Sequence, residues 1–224
     1  MGLPVRSAAV QQQRQCSGPQ AGGVDGGNLK TIMRDHHPKG FSLIELMIVL
    51  AVLAVTLGLA APSFQTAINT NRIASAANEM TAAIQLARAE AIRSNRSVVL
   101  CRSDDLSACT GGSGAWKGWI VFVDTDGSGQ RDNDEVILRN AAVDSPLIAF
   151  GSSNIVALNN RIAFQSDGRA RGSDGFTALS GSVELCLPVT DPAENARDVG
   201  IAFGGRTTLV KKSTSGVCAA PSDS

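Results

Sequence analysis

The sequence predicts an α+β protein in which one long N-terminal helix precedes a small antiparallel β-sheet domain. Three observations carry this. Residues 41–61 read FSLIELMIVLAVLAVTLGLAA, an apolar run holding a single charge. Apolar side chains then continue at helical spacing to Ala91, and from Ser97 onward the pattern changes to short β-branched runs separated by Gly-, Asp- and Asn-containing turns.

The apolar run is long enough, as a helix of about 30 Å, to cross a bilayer. Arg34 and Lys39 lie just upstream, so the positive-inside rule places the N-terminus in the cytoplasm and everything after Pro62 outside. An ordinary signal anchor and a cleaved secretory signal both fit that much. Glu45, alone among apolar residues one turn inside the boundary, costs on the order of 3 kcal/mol in a membrane and asks for a partner. Beyond Pro62, which would kink the helix, Phe64, Ile68, Ile73, Met80, Ile84, Ala87 and Ala91 continue one apolar face to about Ser94. Ser97–Leu100 opens the first strand. Further strands are expected at Gly118–Val123, Glu135–Arg139, Arg161–Phe164, Val183–Leu187, Val199–Phe203 and Thr207–Lys211. The chain thus divides into a leader (1–40), a membrane-spanning half-helix (41–61), an amphipathic half-helix (62–96) and a β-rich domain (97–224). Trp116, Trp119, Phe122, Phe164 and Phe203 are expected in its core.

Lys+Arg and Asp+Glu both number 20, so no global basicity favours nucleic acid. From Phe41 on, 15 basic side chains face 18 acidic ones, a net charge of minus three that repels a polyanion weakly. The only histidines, His36 and His37, sit in the leader, and no phosphate-binding loop, nucleophile elbow, HExxH pair or CxxC knuckle is present. These absences argue against an enzyme.

The join Lys39-Gly40-Phe41-Ser42-Leu43-Ile44-Glu45 resembles that of the type IV pilin and type II secretion pseudopilin superfamily. The resemblance implies that a prepilin peptidase cuts between Gly40 and Phe41, that Phe41 is then methylated, and that Glu45 pairs with the N-terminal ammonium of a neighbouring subunit during assembly. A leader of 40 residues departs from the short leaders of that family. Starting at Met33 would give MRDHHPKG, and residues 1–32 then read as disordered or as a misassigned start. The stretch NRIASAANEMTAAIQLARAEAIRSNRSVVLC, the later GWIVFVD and the turn AFQSDGRA are similar to the FimT/FimU and GspH subfamily of minor pilins and pseudopilins. That likeness implies a structural subunit at or near a fibre tip, with other pilins or pseudopilins, the prepilin peptidase and an inner-membrane assembly platform as partners. It covers about Gly40 to Lys211, and leaves open a type IV pilus or a type II secretion pseudopilus; the GRA turn favours the pilus.

Some FimT-type subunits bind DNA through a C-terminal GRxR motif. By strand context its counterpart is Gly205-Arg206-Thr207-Thr208, with Lys211 and Lys212 following. Gly168-Arg169-Ala170-Arg171 matches the letters but is flanked by Asp167 and Asp174. Weak, salt-dependent DNA binding is the most this predicts, with Arg206, Lys211 and Lys212 ahead of Arg169 and Arg171.

Cys16 sits in the leader, leaving Cys101, Cys109, Cys186 and Cys218 beyond the membrane. Four cysteines allow three pairings. Cys101 with Cys109 and Cys186 with Cys218 is preferred, because each pair closes within neighbouring elements, and a zinc site is the alternative. Finally, residues 124–135 spell the letters of a calcium loop, with Asp124, Asp126, Ser128, Asp132 and Glu135 as oxygen donors and the Gln130 carbonyl as a further one. Strand-like flanks favour a plain acidic hairpin loop; crowding of carboxylates around one turn favours Ca²⁺. No other cofactor is expected.

Overall fold

The computed structural model describes residues 40–172, 174–202 and 204–223. The expectations that rest on Cys16, Met33, Arg34, His36, His37, Lys39 and Phe203 fall outside the described residues. The chain divides into two units, Met1–Leu46 and Met47–Ser224. In the first, the Ser42 carbonyl accepts the Leu46 N–H at 3.1 Å and opens helix α1, which spans Leu43–Ser94. Helical backbone continues on both sides of Pro62, whose one missing donor is not enough to end it.

In the second unit, α1 changes character along its length. Met47, Ile48, Leu50 and Leu53 are half or more exposed, and so are the apolar residues around them. Farther on, Ile73, Ala77, Met80, Ile84, Ala87 and Ala91 recur at spacings of three and four and are fully buried. Three of these six are alanines, whose small side chains permit close approach. Phe64 and Ile68 do not join this face, at 71% and 45% exposed. The buried stripe begins at Asn69, whose amide donates to the Asp191 carbonyl at 3.1 Å, so a loop meets the helix there. The helix ends where Asn95 turns to the left-handed conformation (φ 53°), a common stop for a helix.

Among the described residues nine strands follow: β1 (Ser97–Arg102), β2 (Gly118–Asp124), β3 (Ile137–Ala142), β4 (Ile148–Gly151), β5 (Arg161–Phe164), β6 (Ala170–Arg171), β7 (Gly181–Cys186), β8 (Ala196–Ala202) and β9 (Arg206–Lys212). A short helix, α2 (Ser153–Ala157), separates β4 from β5. They form two antiparallel sheets, in the orders β3-β2-β1-β5-β6 and β4-β7-β8-β9, linked by a bridge between Trp116 and Ala149. The α1 stripe packs on Val98, Leu100, Trp119, Val121, Ile162 and Phe164 of the first sheet and on Val183, Leu185, Val199 and Ile201 of the second, so one core serves both. Trp116 and Phe122 are buried as well, Phe122 in a small second cluster with Val99, Cys101 and Ile120 on the opposite face of the first sheet.

The elements missed in the sequence are β4, α2 and β6. The two-residue β6 exists only through pairing with Ala163 and Phe164. Strand β8 begins three residues before the expected Val199, because Ala196, Arg197 and Asp198 are buried and paired with β9 although two of them are charged. Strand β3 begins at Ile137 rather than Glu135, whose side chain is drawn into the preceding loop.

Both cysteine pairs are disulfides, Cys101–Cys109 with Cα atoms 5.6 Å apart and Cys186–Cys218 with Cα atoms 5.7 Å apart. The zinc alternative is thereby overturned, since a sulfur already bonded to sulfur offers no thiolate to a metal.

Candidate functional site

Three groups of residues bear on function, and the first is the start of α1. Phe41 is 80% exposed and precedes the helix, while Glu45 is exposed in its first turn. Ser42 and Glu45 stand three residues apart at the helix start, the spacing of a capping box. A carboxylate there also faces the positive end of the helix dipole. Glu45 therefore has a local reason to be tolerated in an apolar run, which the sequence reading did not use. An 18-residue window of α1 reaches a mean hydropathy of 2.6 and none of it is buried.

The second group is the acidic loop after β2. Asp124 ends the strand and accepts the N–H groups of Gly127 and Gly129, at 2.8 and 3.1 Å, one on each carboxylate oxygen. Glu135 reaches back across the loop, where one oxygen accepts the Thr125 N–H at 2.6 Å and the other the Asp132 N–H at 3.1 Å. Asp126 accepts the Ser128 N–H at 2.9 Å, and the Ser128 hydroxyl donates to the Gln130 carbonyl at 3.1 Å. Of the four carboxylates the spacing singles out, Asp124, Asp126 and Glu135 bring ligand oxygens within 4.8 Å of one another, and Asp132 does not join them. Ser128 and Gln130 engage each other, and Asp132 contributes its backbone. Burial pushes the Asp124 carboxyl up, whereas the Ser128 N–H holds that of Asp126 down. Backbone donors offset part of the repulsion expected among these carboxylates.

The third group is basic. Gly168 and Gly205 both adopt positive φ, 73° and 75°, and their turns touch: a methyl group on Gly205 would lie 2.7 Å from the Gly168 carbonyl oxygen. Arg88 of α1 lies against both and donates to the Gly205 carbonyl at 3.1 Å. The two arginine turns, which look like separate candidates in the sequence, are one place in the fold. Arg169 and Arg206 are exposed there, and among the described residues neither has a carboxylate within ion-pairing distance. The other three basic candidates are occupied. Arg171 is held by Asp167 and by the Phe176 carbonyl, Lys211 lies 3.6 Å from Glu194, and Lys212 turns to Asp198 and Glu184. The Arg169 N–H, and next the Arg171 guanidinium, hold the Asp167 carboxyl below its usual range. Of the five basic candidates, Arg206 and Arg169 are the exposed ones without an ion pair among the described residues.

No curated protein sequence matches the chain. Two crystal structures of the type IV minor pilin FimU of Pseudomonas aeruginosa (strain PAO1) are similar to it, at 23% and 22% identity, with TM-scores of 0.42 and 0.45. They cover 61% and 63% of this chain and 90% of theirs. The family model described as the prokaryotic N-terminal methylation motif matches residues 36–61, across the glycine-phenylalanine join and the apolar run. The model described as type II transport protein GspH matches residues 76–205, from the buried stripe of α1 to the Gly205 turn and more than half of the chain; the protein belongs to the GspH family of the type IV pilin superfamily.

Proposed function

We propose that this chain is a minor type IV pilin: a structural subunit held in the inner membrane with its N-terminus in the cytoplasm, cut after Gly40, and assembled at or near the tip of a pilus. The observation that carries the reading is the split character of α1. Its last turns are buried in a sheet domain, yet its first turns expose every described large apolar side chain from Leu43 to Leu57. An apolar helix surface of that extent is stable only in a bilayer or against other helices of its kind, and a pilin occupies both environments in turn. Extraction from the membrane into a fibre leaves Glu45 in apolar surroundings, where an ammonium on a neighbouring subunit would offset its charge.

The test separates insertion from assembly. Glu45→Val should leave membrane insertion intact and reduce incorporation into sheared fibres severalfold, and mass spectrometry should find methylated Phe41 as the first residue. Normal incorporation of the variant, or an intact leader in cells with an active prepilin peptidase, would refute the reading. Deleting the gene should abolish surface pili. Loss of protein secretion with pili intact would assign the chain instead to a type II secretion pseudopilus, which the GspH family name favours.

A second reading rests on the joined turns at Gly168 and Gly205. Three arginines at one end of the domain form a local cationic surface on a chain that is otherwise net negative, and phosphates are its natural ligands. The DNA binding it supports is weak and strongly salt-dependent. Arg169→Ala with Arg206→Ala should remove it, while Lys211→Ala and Lys212→Ala should change it little.

A further inference from the structure

The outer face of the four-stranded sheet holds two carboxylates side by side. Glu184 of β7 and Asp198 of β8 are register partners. Their neighbours Val183, Leu185 and Val199 point into the core, so the pleat turns both acids to the opposite face. Such a face is ordinarily wet. Here the chain that follows β9 folds back over it. Cys218 is bonded to Cys186 on that face, the Ser182 hydroxyl donates to the Ser222 carbonyl at 2.9 Å, and Asp223 accepts the Asn154 N–H at 3.0 Å. Beneath this strap, residues 213–223, Glu184 and Asp198 are only 3% and 8% exposed.

One cation reaches the pair. The Lys212 ammonium meets the Asp198 Oδ2 and lies 3.9 Å from the Glu184 Oε2. The other oxygen of each carboxylate, Glu184 Oε1 and Asp198 Oδ1, is buried with no hydrogen-bond partner. Two adjacent buried acceptors with no donor between them are costly, and two negative charges under one ammonium leave the site short by one positive charge. A single proton answers both deficits, since a protonated carboxyl donates to the carboxylate beside it.

The remaining groups around the pair do not supply that charge. Strand β4 places Phe150 opposite Glu184, and α2 carries no charged residue. Asp223 of the strap adds a further carboxylate to the small cavity, about 180 Å³, that also borders Asp198 and Lys212. On the alternate positions of the strands, Arg197 donates to the carbonyls of Glu194 and Ala196, and Lys211 pairs with Glu194.

We propose that Glu184 and Asp198 share one proton, and that this proton acts as a pH-sensitive clasp holding the C-terminal strap closed on the sheet. Burial, and next the Asp198 charge, push the Glu184 carboxyl up to about 7, while Lys212 and the Ala219 N–H of the strap oppose the shift. The sign follows. A carboxyl raised from its ordinary 4.5 to about 7 in the folded protein gives stability that is complete below about 4.5 and is lost as pH rises to about 7. Above that, two carboxylates repel under one ammonium, the cavity hydrates, and the strap loosens. The Cys186–Cys218 bond keeps it tethered as a loop.

The test uses the full chain in detergent micelles. Carbon-detected NMR of the Glu184 carboxyl should show a midpoint near 7. Hydrogen exchange across residues 213–223, corrected for the intrinsic pH dependence of exchange, should show about tenfold less protection at pH 8 than at pH 5, while the α1 stripe stays protected. In Glu184→Gln, whose amide donates permanently, the strap should lose that pH dependence. A Glu184 midpoint in the ordinary carboxylate range, or strap protection equally independent of pH in the unaltered chain, would overturn the proposal. An unchanged pH slope in folded Glu184→Gln would do the same. The carboxyl titration needs no variant and so decides the matter if Glu184→Gln does not fold.

Discussion

Gly205 packs so closely on Gly168 that a methyl group at position 205 would stand 2.7 Å from the carbonyl oxygen at position 168. The contact joins turns 37 positions apart and holds both against Arg88 of the helix. Gly205→Ala meets two penalties, a left-handed conformation and a clash with backbone, and should destabilise the domain by about 2 kcal/mol or more. Chemical denaturation measures the loss. If the second functional reading holds, anion binding by Arg169 and Arg206 should fall with it.

Met80 and Phe64 lie on the same helix and should behave oppositely. Met80 is fully buried, and Met80→Ala should cost about 2–5 kcal/mol of stability. Phe64 is exposed, so Phe64→Ala should change stability by less than about 0.5 kcal/mol. Thermal unfolding of both variants in micelles checks the contrast.

Glu135 ties Thr125 to Asp132 across the acidic loop. Glu135→Ala removes the carboxylate that accepts the Thr125 and Asp132 N–H groups and should cost about 1–3 kcal/mol. Because the donors that hold this loop are backbone groups, the cost should be the same in millimolar calcium and in chelator. A loss confined to calcium-containing buffer would show instead that the carboxylates serve an ion.

The two disulfides should differ in what they contribute. Cys186 and Cys218 are 32 positions apart and Cys101 and Cys109 are 8 apart. Chain-entropy estimates give about 4 kcal/mol for the first and about 2.5 kcal/mol for the second. Replacing each pair with serines and comparing denaturation midpoints tests the order.

The sequence by itself determined the features that depend on local pattern. The apolar run with its single glutamate, the helical spacing of Ile73, Met80, Ile84, Ala87 and Ala91, and the β-branched runs at Ser97 and Gly118 specify helix first and sheet after, because periodicity alone decides which face an element can bury. The join at Gly40 and Phe41 is likewise a short contiguous motif. Tertiary structure decided whatever depends on neighbours distant in the chain. Phe64 and Ile68 share the helical pattern yet stay exposed, because the part of the helix that packs on the domain begins only at Asn69. Strand β6 and the charged start of β8 exist through their partners. The turns that carry Arg169 and Arg206 meet through a glycine contact, and Lys212 is held by Glu184 and Asp198, which lie buried beside it. A carboxylate's cost depends on what else is buried with it, and that is a property of packing, not of spacing.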